Sequence, residues 1–334
     1  MKLCAPWAGR VGAYNASLQN TSELLQLLRD DGVIRSSAAT LTPLTGGVSS
    51  EIYRVNDGDD VFVVKRALAK LKVAQDWFAD VGRNRNEYKY MQYVDRHVPG
   101  AVPHVRQAHA EHGYFCMDFC SGYSNWKQLL MAGEADHVAP KIGELLGRIH
   151  AASAGDSAAR ETFNTIANFE QLRIDPYLIS TARVHPALRQ AIHAEADRLR
   201  VSRNVLAHGD FSPKNILVAG DDVLIVDCEV AWFGDAAFDA AFMLNHLLLK
   251  TLVVKDRGNA DRFWTSYCQH AGRAAASEST VTRLLLMLML ARVDGKSPAE
   301  YLNESQRSFV REFAVRRIPA AAISLSQIIG EFHP

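Results

Sequence analysis

The sequence predicts an α+β protein with two lobes, a small antiparallel sheet followed by a larger, mainly helical part. The chain has 334 residues, of which 48% are hydrophobic, which is enough to fill more than one typical core. Short alternating or apolar runs precede residue 121, whereas apolar residues recur at helical spacing after it. We therefore expect an N-terminal extension with a helix over residues 1–36, the small lobe over 37–120 and the large lobe over 121–334.

Three runs predict the strands of a small antiparallel sheet: Thr40–Leu44, Glu51–Asn56 and Val61–Ala67. The turn between the first two is rich in glycine and serine, at Gly46, Gly47, Ser49 and Ser50. Such a turn lets backbone N–H groups approach phosphate oxygens, although a Gly-Gly pair also simply makes a hairpin. The turn is therefore a candidate phosphate-binding element.

Lys65 lies inside the third predicted strand, where an apolar residue is more usual. There a lysine could reach the phosphates of a nucleotide; the alternative is an edge-strand lysine on a solvent face. Its expected carboxylate partner is Glu87 in the predicted helix Trp77–Arg96, with Glu51 and Asp80 as competitors. The sheet is predicted to end with an apolar strand over Tyr114–Cys120.

After this strand the pattern is helical. Helices are predicted over seven segments: Trp126–Ala132, Ala139–Ala152, Pro186–Arg200, Asp235–Lys250, Arg257–His270, Thr280–Val293 and Ser305–Ile318. Short strands interrupt them at Asn204–Ala207, Ile216–Ala219 and Val223–Val226. Two loop ends therefore meet beside these strands.

Those loops carry the most informative residues of the chain. The first reads His208-Gly209-Asp210-Phe211-Ser212-Pro213-Lys214-Asn215, and the second reads Asp227-Cys228-Glu229. Asp210 would orient or deprotonate an acceptor hydroxyl, as the aspartate of a kinase catalytic loop does. Asn215 and Asp227 supply oxygen ligands suited to Mg²⁺. We expect His208 to brace the loop through backbone contacts.

These residues resemble those of the aminoglycoside phosphotransferase and choline kinase superfamily, small-molecule kinases with a protein-kinase-like fold. The resemblance rests on three segments in order: the His208-Gly209-Asp210 loop, the Asp227-Cys228-Glu229 segment, and Gly234-Asp235-Ala236-Ala237-Phe238-Asp239. We interpret Asp235 and Asp239 as support for the loop. The resemblance implies a two-lobed fold and an enzyme that uses ATP and Mg²⁺.

The resemblance also implies further site residues. Glu229 would join Asn215 and Asp227 at the metal. The adenine would be received through backbone groups at Asp118, Phe119 and Cys120, and either Ser212 or Lys214 could contact the γ-phosphate. The implied function is phosphoryl transfer from Mg-ATP to a hydroxyl of a small molecule; the alternative is a pseudokinase that binds nucleotide or metabolite without turnover.

The distribution of charged residues limits which classes of acceptor are expected. Residues 251–334 hold 11 basic against 8 acidic residues, so the acidic pocket that a polycationic aminoglycoside would favour is not evident. Sugars, amino alcohols and amino acids remain the expected acceptors. Arg292 is similar to an arginine found late in the large lobe of methylthioribose kinases, near the reacting phosphate; the alternative is a favourable cation at a helix C-terminus.

Overall composition points to small-molecule partners. Lys plus Arg and Asp plus Glu number 37 each without long runs of one sign, so neither nucleic acid nor an anionic membrane is an implied partner. The five cysteines show no paired metal spacing and are expected to be reduced. The first residues do not read as a signal peptide. We expect a cytoplasmic enzyme, monomeric or homodimeric.

Overall fold

The computed structural model describes residues 21–44, 50–67, 83–255, 258–320 and 323–333. Within these ranges the α+β architecture is confirmed. Contacts divide the chain into two compact units. The small lobe comprises the described residues of Met1–Val81 together with Val105–Phe119, and the large lobe comprises those of Gly82–His104 and Cys120–Pro334.

The small lobe is a five-stranded antiparallel sheet. Its strands are β1 Thr40–Pro43, β2 Ser50–Asp57, β3 Asp60–Ala67, β4 Val105–His109 and β5 Tyr114–Asp118, in the spatial order β1-β2-β3-β5-β4. β3 is an interior strand because it pairs with β2 on one side and β5 on the other. Residues Phe62–Arg66 of β3 therefore have neighbours on two strands.

Residues 21–30 form helix α1, which covers one face of this sheet. Its Leu24 and Leu28 are almost fully buried and pack in one cluster with Val55 and Phe62 of the sheet. Beyond the helix, Asp31 accepts a hydrogen bond of 2.5 Å from the hydroxyl of Tyr114. The described part of the N-terminal extension is thus integrated into the small lobe.

The large lobe is mainly helical. Its helices are α2 Arg83–His97, α3 Trp126–Met131, α4 Ala139–Ser153, α5 Ser157–Thr162, α6 Ile166–Phe169, α7 Ser180–Val184, α8 Arg189–Val201, α9 Ala236–Thr251, α10 Asn259–Ala271, α11 Glu278–Asp294, α12 Glu304–Arg317 and α13 Leu325–Glu331. A π-helical segment, Glu170–Ile179, joins α6 to α7. Among the described residues, no helix is both long and apolar enough to span a bilayer.

Short strands complete the large lobe and position its loops. They are β6 Ser124–Asn125, β7 Val205–Ala207, β8 Ile216–Ala219, β9 Asp222–Ile225 and β10 Trp232–Gly234. β8 and β9 form a hairpin flanked by β6, and β7 pairs with β10 in a separate ribbon. The predicted strands at these positions are found within one residue of their expected ends.

Close helix packing holds the centre of this lobe. Gly147 of α4 faces the backbone of α10 so closely that a Cβ added there would lie 2.8 Å from the Ala271 nitrogen. Helix α9 is buried at every residue from Ala236 to Lys250, because it packs against both α10 and α11. Among the described helices, α9 is the most completely buried. It follows the Asp227-Cys228-Glu229 segment, which is predicted to bind the metal and is called the metal segment below.

The lobes differ from the predicted boundaries in one respect. Residues 37–120 were expected to form one lobe, whereas α2 clusters with the large lobe. Helix α2 contacts the large lobe through Asn86, whose side chain donates hydrogen bonds to the backbone carbonyls of Glu229 and Ala231. The four cysteines within the described ranges form no disulfide.

Candidate active site

The predicted catalytic loop begins directly at the end of β7. Gly209 adopts a φ of +77°, and a Cβ added to it would lie 2.5 Å from the carbonyl oxygen of Val230. An L side chain is disfavoured there both by backbone conformation and by space. The sequence therefore needs glycine at this position to bring the loop against the segment that follows Asp227.

Asp239 holds the start of the loop from the first turn of α9. Its fully buried carboxylate accepts hydrogen bonds from the backbone N–H groups of His208, at 2.6 Å, and Gly209, at 2.9 Å. Hydrogen bonds from two backbone donors to a carboxylate are charge-assisted and strong, so they fix the start of the loop. Asp235 caps α9, since its side chain accepts from the backbone N–H of Ala237. This geometry agrees with the supporting role expected for both aspartates.

His208 connects the loop to the metal segment. Its Nδ1 accepts from the backbone N–H of Asp210 and its Nε2 lies 3.1 Å from the carbonyl oxygen of Val226. A carbonyl can only accept, so Nε2 carries the proton and the ring is neutral. Burial lowers the pKa of His208 despite the nearby carboxylates, which agrees with the neutral form. We interpret His208 as a positioning residue.

Asp210 lies at the centre of the site and is 5% exposed. Its Oδ1 is 2.9 Å from the guanidinium of Arg173, and its Oδ2 is 2.9 Å from both Lys214 Nζ and the amide nitrogen of Asn215. Burial alone would raise the pKa of this carboxyl, but the charges of Arg173 and Lys214 outweigh it and hold the pKa below its usual value. Asp210 is therefore ionised throughout the neutral range.

The metal segment lies beside the end of this loop. The backbone N–H of Val226 donates to the carbonyl oxygen of Asn215 at 3.0 Å, which joins the residue before Asp227 to the other predicted ligand. The Asn215 amide nitrogen binds Asp210, so its amide oxygen is directed away from that carboxylate. Asp227 has a left-handed backbone with φ 63°, uncommon for a residue with a side chain and frequent at functional turns.

The oxygen atoms of Asn215 and Asp227 are the donors that Mg²⁺ prefers, so these two residues fit the expected ion. Glu229 differs, because its Oε2 lies 2.9 Å from Nε of the buried Arg83. Much of the Glu229 charge is thus compensated within the protein. Its predicted place among the metal ligands stays a prediction.

The two residues predicted to reach a γ-phosphate lie in different surroundings. Lys214 is half exposed and bound to Asp210. Ser212 is fully buried, and its hydroxyl has no hydrogen-bond partner among the described residues. Of the two, Lys214 is the one a ligand could contact without a change in the loop.

Arg173 was missed by the sequence analysis. It lies in the π-helical segment, where Pro176 interrupts the ordinary helical pattern. Its Nε donates to the carbonyl oxygen of Gly209 at 2.7 Å while its Nη2 binds Asp210. Because Arg173 and the loop that it contacts are more than thirty residues apart, no local pattern in the sequence pointed to this contact.

The predicted residues of the small lobe include a buried lysine. Lys65 is 2% exposed and lies on the interior strand β3, so the alternative of an edge-strand lysine on a solvent face is wrong. Its predicted partner Glu87 is 1% exposed and belongs to α2 of the large lobe. Ser50 is buried at the start of β2. Gly46, Gly47 and Ser49 lie outside the described residues.

The predicted adenine-binding stretch spans the end of one lobe and the start of the other. Phe119 is the last residue of the small lobe and Cys120 the first of the large lobe. The side chain of Asp118 binds Nε of Arg106 at 2.7 Å, and the Arg54 guanidinium lies 4.8 Å from the centre of the Phe119 ring. Because the side chains of Asp118 and Phe119 make contacts within the small lobe, the predicted adenine binding would use backbone groups.

Arg292 is 7% exposed in the last turn of α11. Its Nη1 binds both the carbonyl oxygen and the hydroxyl of Ser297, and so holds the loop that follows the helix. Its Nε is buried without a hydrogen-bond partner among the described residues. The side chain thus has a structural contact on one side and an unmet donor on the other.

Comparisons with known proteins agree with this geometry. A sequence model of the phosphotransferase enzyme family matches residues 40–276. A methylthioribose kinase of Exiguobacterium sibiricum is 23% identical over 278 residues, which cover 73% of this chain and 72% of the relative.

Two solved structures share the fold, each with a TM-score of 0.57. An amicoumacin kinase in complex with AMP-PNP, Ca²⁺ and Ami is 12% identical, and the match covers 93% of this chain and 97% of that chain. A choline kinase of Cryptosporidium parvum is 11% identical and covers 93% and 100%. The protein-kinase-like fold is thereby confirmed, and with more than half of its length matched by the family model, the chain belongs to the phosphotransferase enzyme family.

Proposed function

We propose that this protein transfers the γ-phosphoryl group of Mg-ATP to a hydroxyl group of a small molecule. The observation that carries the proposal is the state of Asp210, a buried carboxylate kept ionised by Arg173 and Lys214 and fixed by Asn215. Phosphoryl transfer needs an aligned hydroxyl and compensation of phosphate charge, with little covalent chemistry by the protein. In the large lobe, Asp210 supplies the group that would align the hydroxyl.

The surroundings of Asp210 define its role. A carboxylate has about four lone-pair sites, and contacts to Arg173, Lys214 and Asn215 use three of them. The remaining site on Oδ1 would accept the hydrogen of the acceptor hydroxyl. Since the pKa of Asp210 is held low, Asp210 is a weak base. Alignment of the hydroxyl, with proton uptake late in the transfer, fits it better than early deprotonation.

The remaining proposed roles concern the nucleotide. Asn215 and Asp227 would hold Mg²⁺, which when bound compensates the charge on the phosphate oxygens. Lys65 and the glycine turn at Gly46 and Gly47 would bind phosphates, and the backbone at Phe119 would receive the adenine.

Release of ADP from Mg-ATP, followed with a panel of sugars, amino alcohols, amino acids and aminoglycosides, tests the proposal. We expect one chemical class to stimulate ADP release and to yield a phosphorylated product visible by mass spectrometry. Binding of Mg-ATP without stimulation by any class would instead favour a pseudokinase. The relatives named methylthioribose kinase make a thio-sugar a sensible first member of the sugar class.

A further inference from the structure

A second group of charged side chains lies in the large lobe outside the catalytic loop. It consists of four residues from α3, α9 and α11, which we call the cation cluster: Lys127, His246, Lys250 and Arg292. After burial, the charges of Lys250, Arg292, Lys214 of the catalytic loop and Lys127 lower the pKa of His246, so these cations lie within electrostatic reach of its ring. His246 is therefore neutral, and the charge of the cluster comes from its lysines and arginine.

Lys250 is the unusual member. It is 3% exposed, yet its ammonium group makes one hydrogen bond, of 3.3 Å, to the carbonyl oxygen of His246. It also lies 5.2 Å from the centre of the Tyr301 ring. Within the described residues it has no carboxylate at ion-pair distance. Buried ammonium groups are costly without a compensating anion.

Two further polar atoms beside Lys250 are unmet. Arg292 Nε and the hydroxyl of Tyr301 are buried without hydrogen-bond partners in the described part of the chain. Buried donors are nearly always satisfied by protein, water or ligand. The ammonium group of Lys250 thus has a single long hydrogen bond, and the Arg292 Nε–H and the Tyr301 hydroxyl have none within the described residues.

The cation cluster is connected to the catalytic loop along one face of α9. Asp239, Phe242, His246 and Lys250 follow one another at intervals of three and four residues, which places them on the same side of the helix. Asp239 binds the loop, and the Phe242 ring lies 5.8 Å from the Arg173 guanidinium and 5.0 Å from the His246 ring. The face thus leads from the contacts of Asp210 to Lys250.

The sign of the charge identifies the ligand class. Two acids lie near the cluster: Glu300, which is bound to Lys127 at 2.6 Å and is 65% exposed, and Asp136, which lines a small cavity together with Lys250. Burial first, and then repulsion by Lys127 and Arg292, lower the pKa of Lys250 to about 7, although Glu300 raises it. A second cation would meet repulsion here, whereas an anion would restore charge balance.

Lys250 could instead serve only as a favourable cation at the C-terminus of α9. That role requires neither burial nor other cations around it. The unmet donors of Arg292 and Tyr301 would also remain unexplained.

We propose that the cation cluster binds an anionic group of the phosphoryl acceptor. The acceptor is then a small hydroxyl compound that carries a carboxylate or a phosphate. The identification of the ligand as the phosphoryl acceptor rests on the proposed phosphoryl transfer, whereas the anion site itself does not. Anion binding would be coupled to protonation of Lys250, so affinity for the anion should fall as pH rises through about 7.

Matched acceptor pairs test the inference in turnover. Glycerate against glycerol, gluconate against glucose, and glucose 6-phosphate against glucose differ in the anionic group, and the two kinds of anion separate carboxylate from phosphate recognition. We expect kcat/KM for the anionic member to be at least about tenfold higher, equivalent to about 1.4 kcal/mol. Lys250→Met should remove that preference, whereas Lys141→Met, at a lysine of α4 that is 42% exposed, should keep it.

A binding measurement keeps the test independent of the right acceptor. Inorganic phosphate and malonate are added at constant ionic strength, and Tm is followed at pH 6 and pH 8. We expect stabilisation at pH 6 that weakens at pH 8, is lost in Lys250→Met and persists in Lys141→Met. No Lys250-dependent stabilisation by either anion would overturn the anion site.

The outcomes separate the two proposals. Turnover confined to neutral or cationic acceptors would refute the anionic acceptor while leaving phosphoryl transfer in place. Lys250-dependent anion binding without any ADP release would do the reverse.

Discussion

Two buried charges of the large lobe, the Asp210 carboxylate and the Lys250 ammonium, have opposite surroundings. Asp210 contacts Arg173, Lys214 and Asn215, so its charge is compensated by the protein before any ligand arrives. Lys250 contacts a carbonyl and an aromatic ring and is repelled by Lys127 and Arg292. A compensated charge is fixed in place for reaction, whereas an uncompensated one destabilises the protein until a ligand of opposite sign binds.

The largest expected effect comes from removing the charge of Asp210. Asp210→Asn keeps the shape of the side chain but loses its charge and its ability to take up the proton. We expect kcat for ADP release with the best acceptor to fall about 10²- to 10⁴-fold. Asp221→Asn is the matched control, since this aspartate is 99% exposed at the β8–β9 turn. Turnover within twofold of the parent in a folded Asp210→Asn protein contradicts the assignment.

A second change breaks the compensation and leaves Asp210 itself intact. Arg173→Met removes one of its two cations, so we expect the free energy of unfolding to fall by roughly 3 kcal/mol, at the low end for a broken buried pair because Lys214 remains. The pKa of Asp210 should rise, since burial is then less opposed. The acid limb of the kcat profile therefore moves to higher pH.

Arg183→Met is the control for this change, because Arg183 is 66% exposed and 3.7 Å from Asp175 in the same region. Exposed pairs contribute little. Equal losses of stability in the two variants, measured by urea unfolding, would mean that Arg173 does not compensate Asp210.

The position of the compensated charge depends on the backbone at Gly209. Gly209→Ala and Gly220→Ala both place alanine at positive φ, but the Cβ would meet Val230 only at Gly209 and nothing within 4 Å at Gly220. We expect Gly209→Ala to be less stable than Gly220→Ala by about 1–3 kcal/mol, the usual range for overpacking. Chemical unfolding of both variants gives the difference. Similar values would show that the loop tolerates a wider approach to Val230.

The smallest effect should come from relieving the uncompensated charge. The pKa of Lys250 is about 7 in the folded protein against an ordinary 10.5, so the cost of burying its charge is fully present below pH 7 and is relieved as pH rises towards 10.5. Lys250→Met should therefore raise Tm by about 2 °C or more at pH 6, and by less at pH 9. A fall in Tm, or the same gain in the more exposed Lys141→Met, would show that Lys250 is not under electrostatic strain.

The comparison also shows what the sequence could predict. The residues of the catalytic loop and metal segment are consecutive, so their spacing alone indicated the site, and the alternating runs placed three small-lobe strands within one residue at most ends. Arg173 was not predicted as a partner of Asp210, and the members of the cation cluster were not predicted to lie together. In both cases the residues are distant in sequence, and only tertiary packing brings their side chains together. The strand β4 was missed since Arg106 and Gln107 interrupt its apolar pattern.

Helix α9 binds the catalytic loop through Asp239 in its first turn and carries Lys250 in its last. Since it is buried throughout, its opening requires disruption of the packing that stabilises most of the large lobe, and local fraying of the kind that frees surface loops is excluded for it. The catalytic loop and the cation cluster should accordingly form and be lost in one cooperative unit. Thermal fluctuations would then inactivate a molecule outright rather than leave it active with relaxed selectivity.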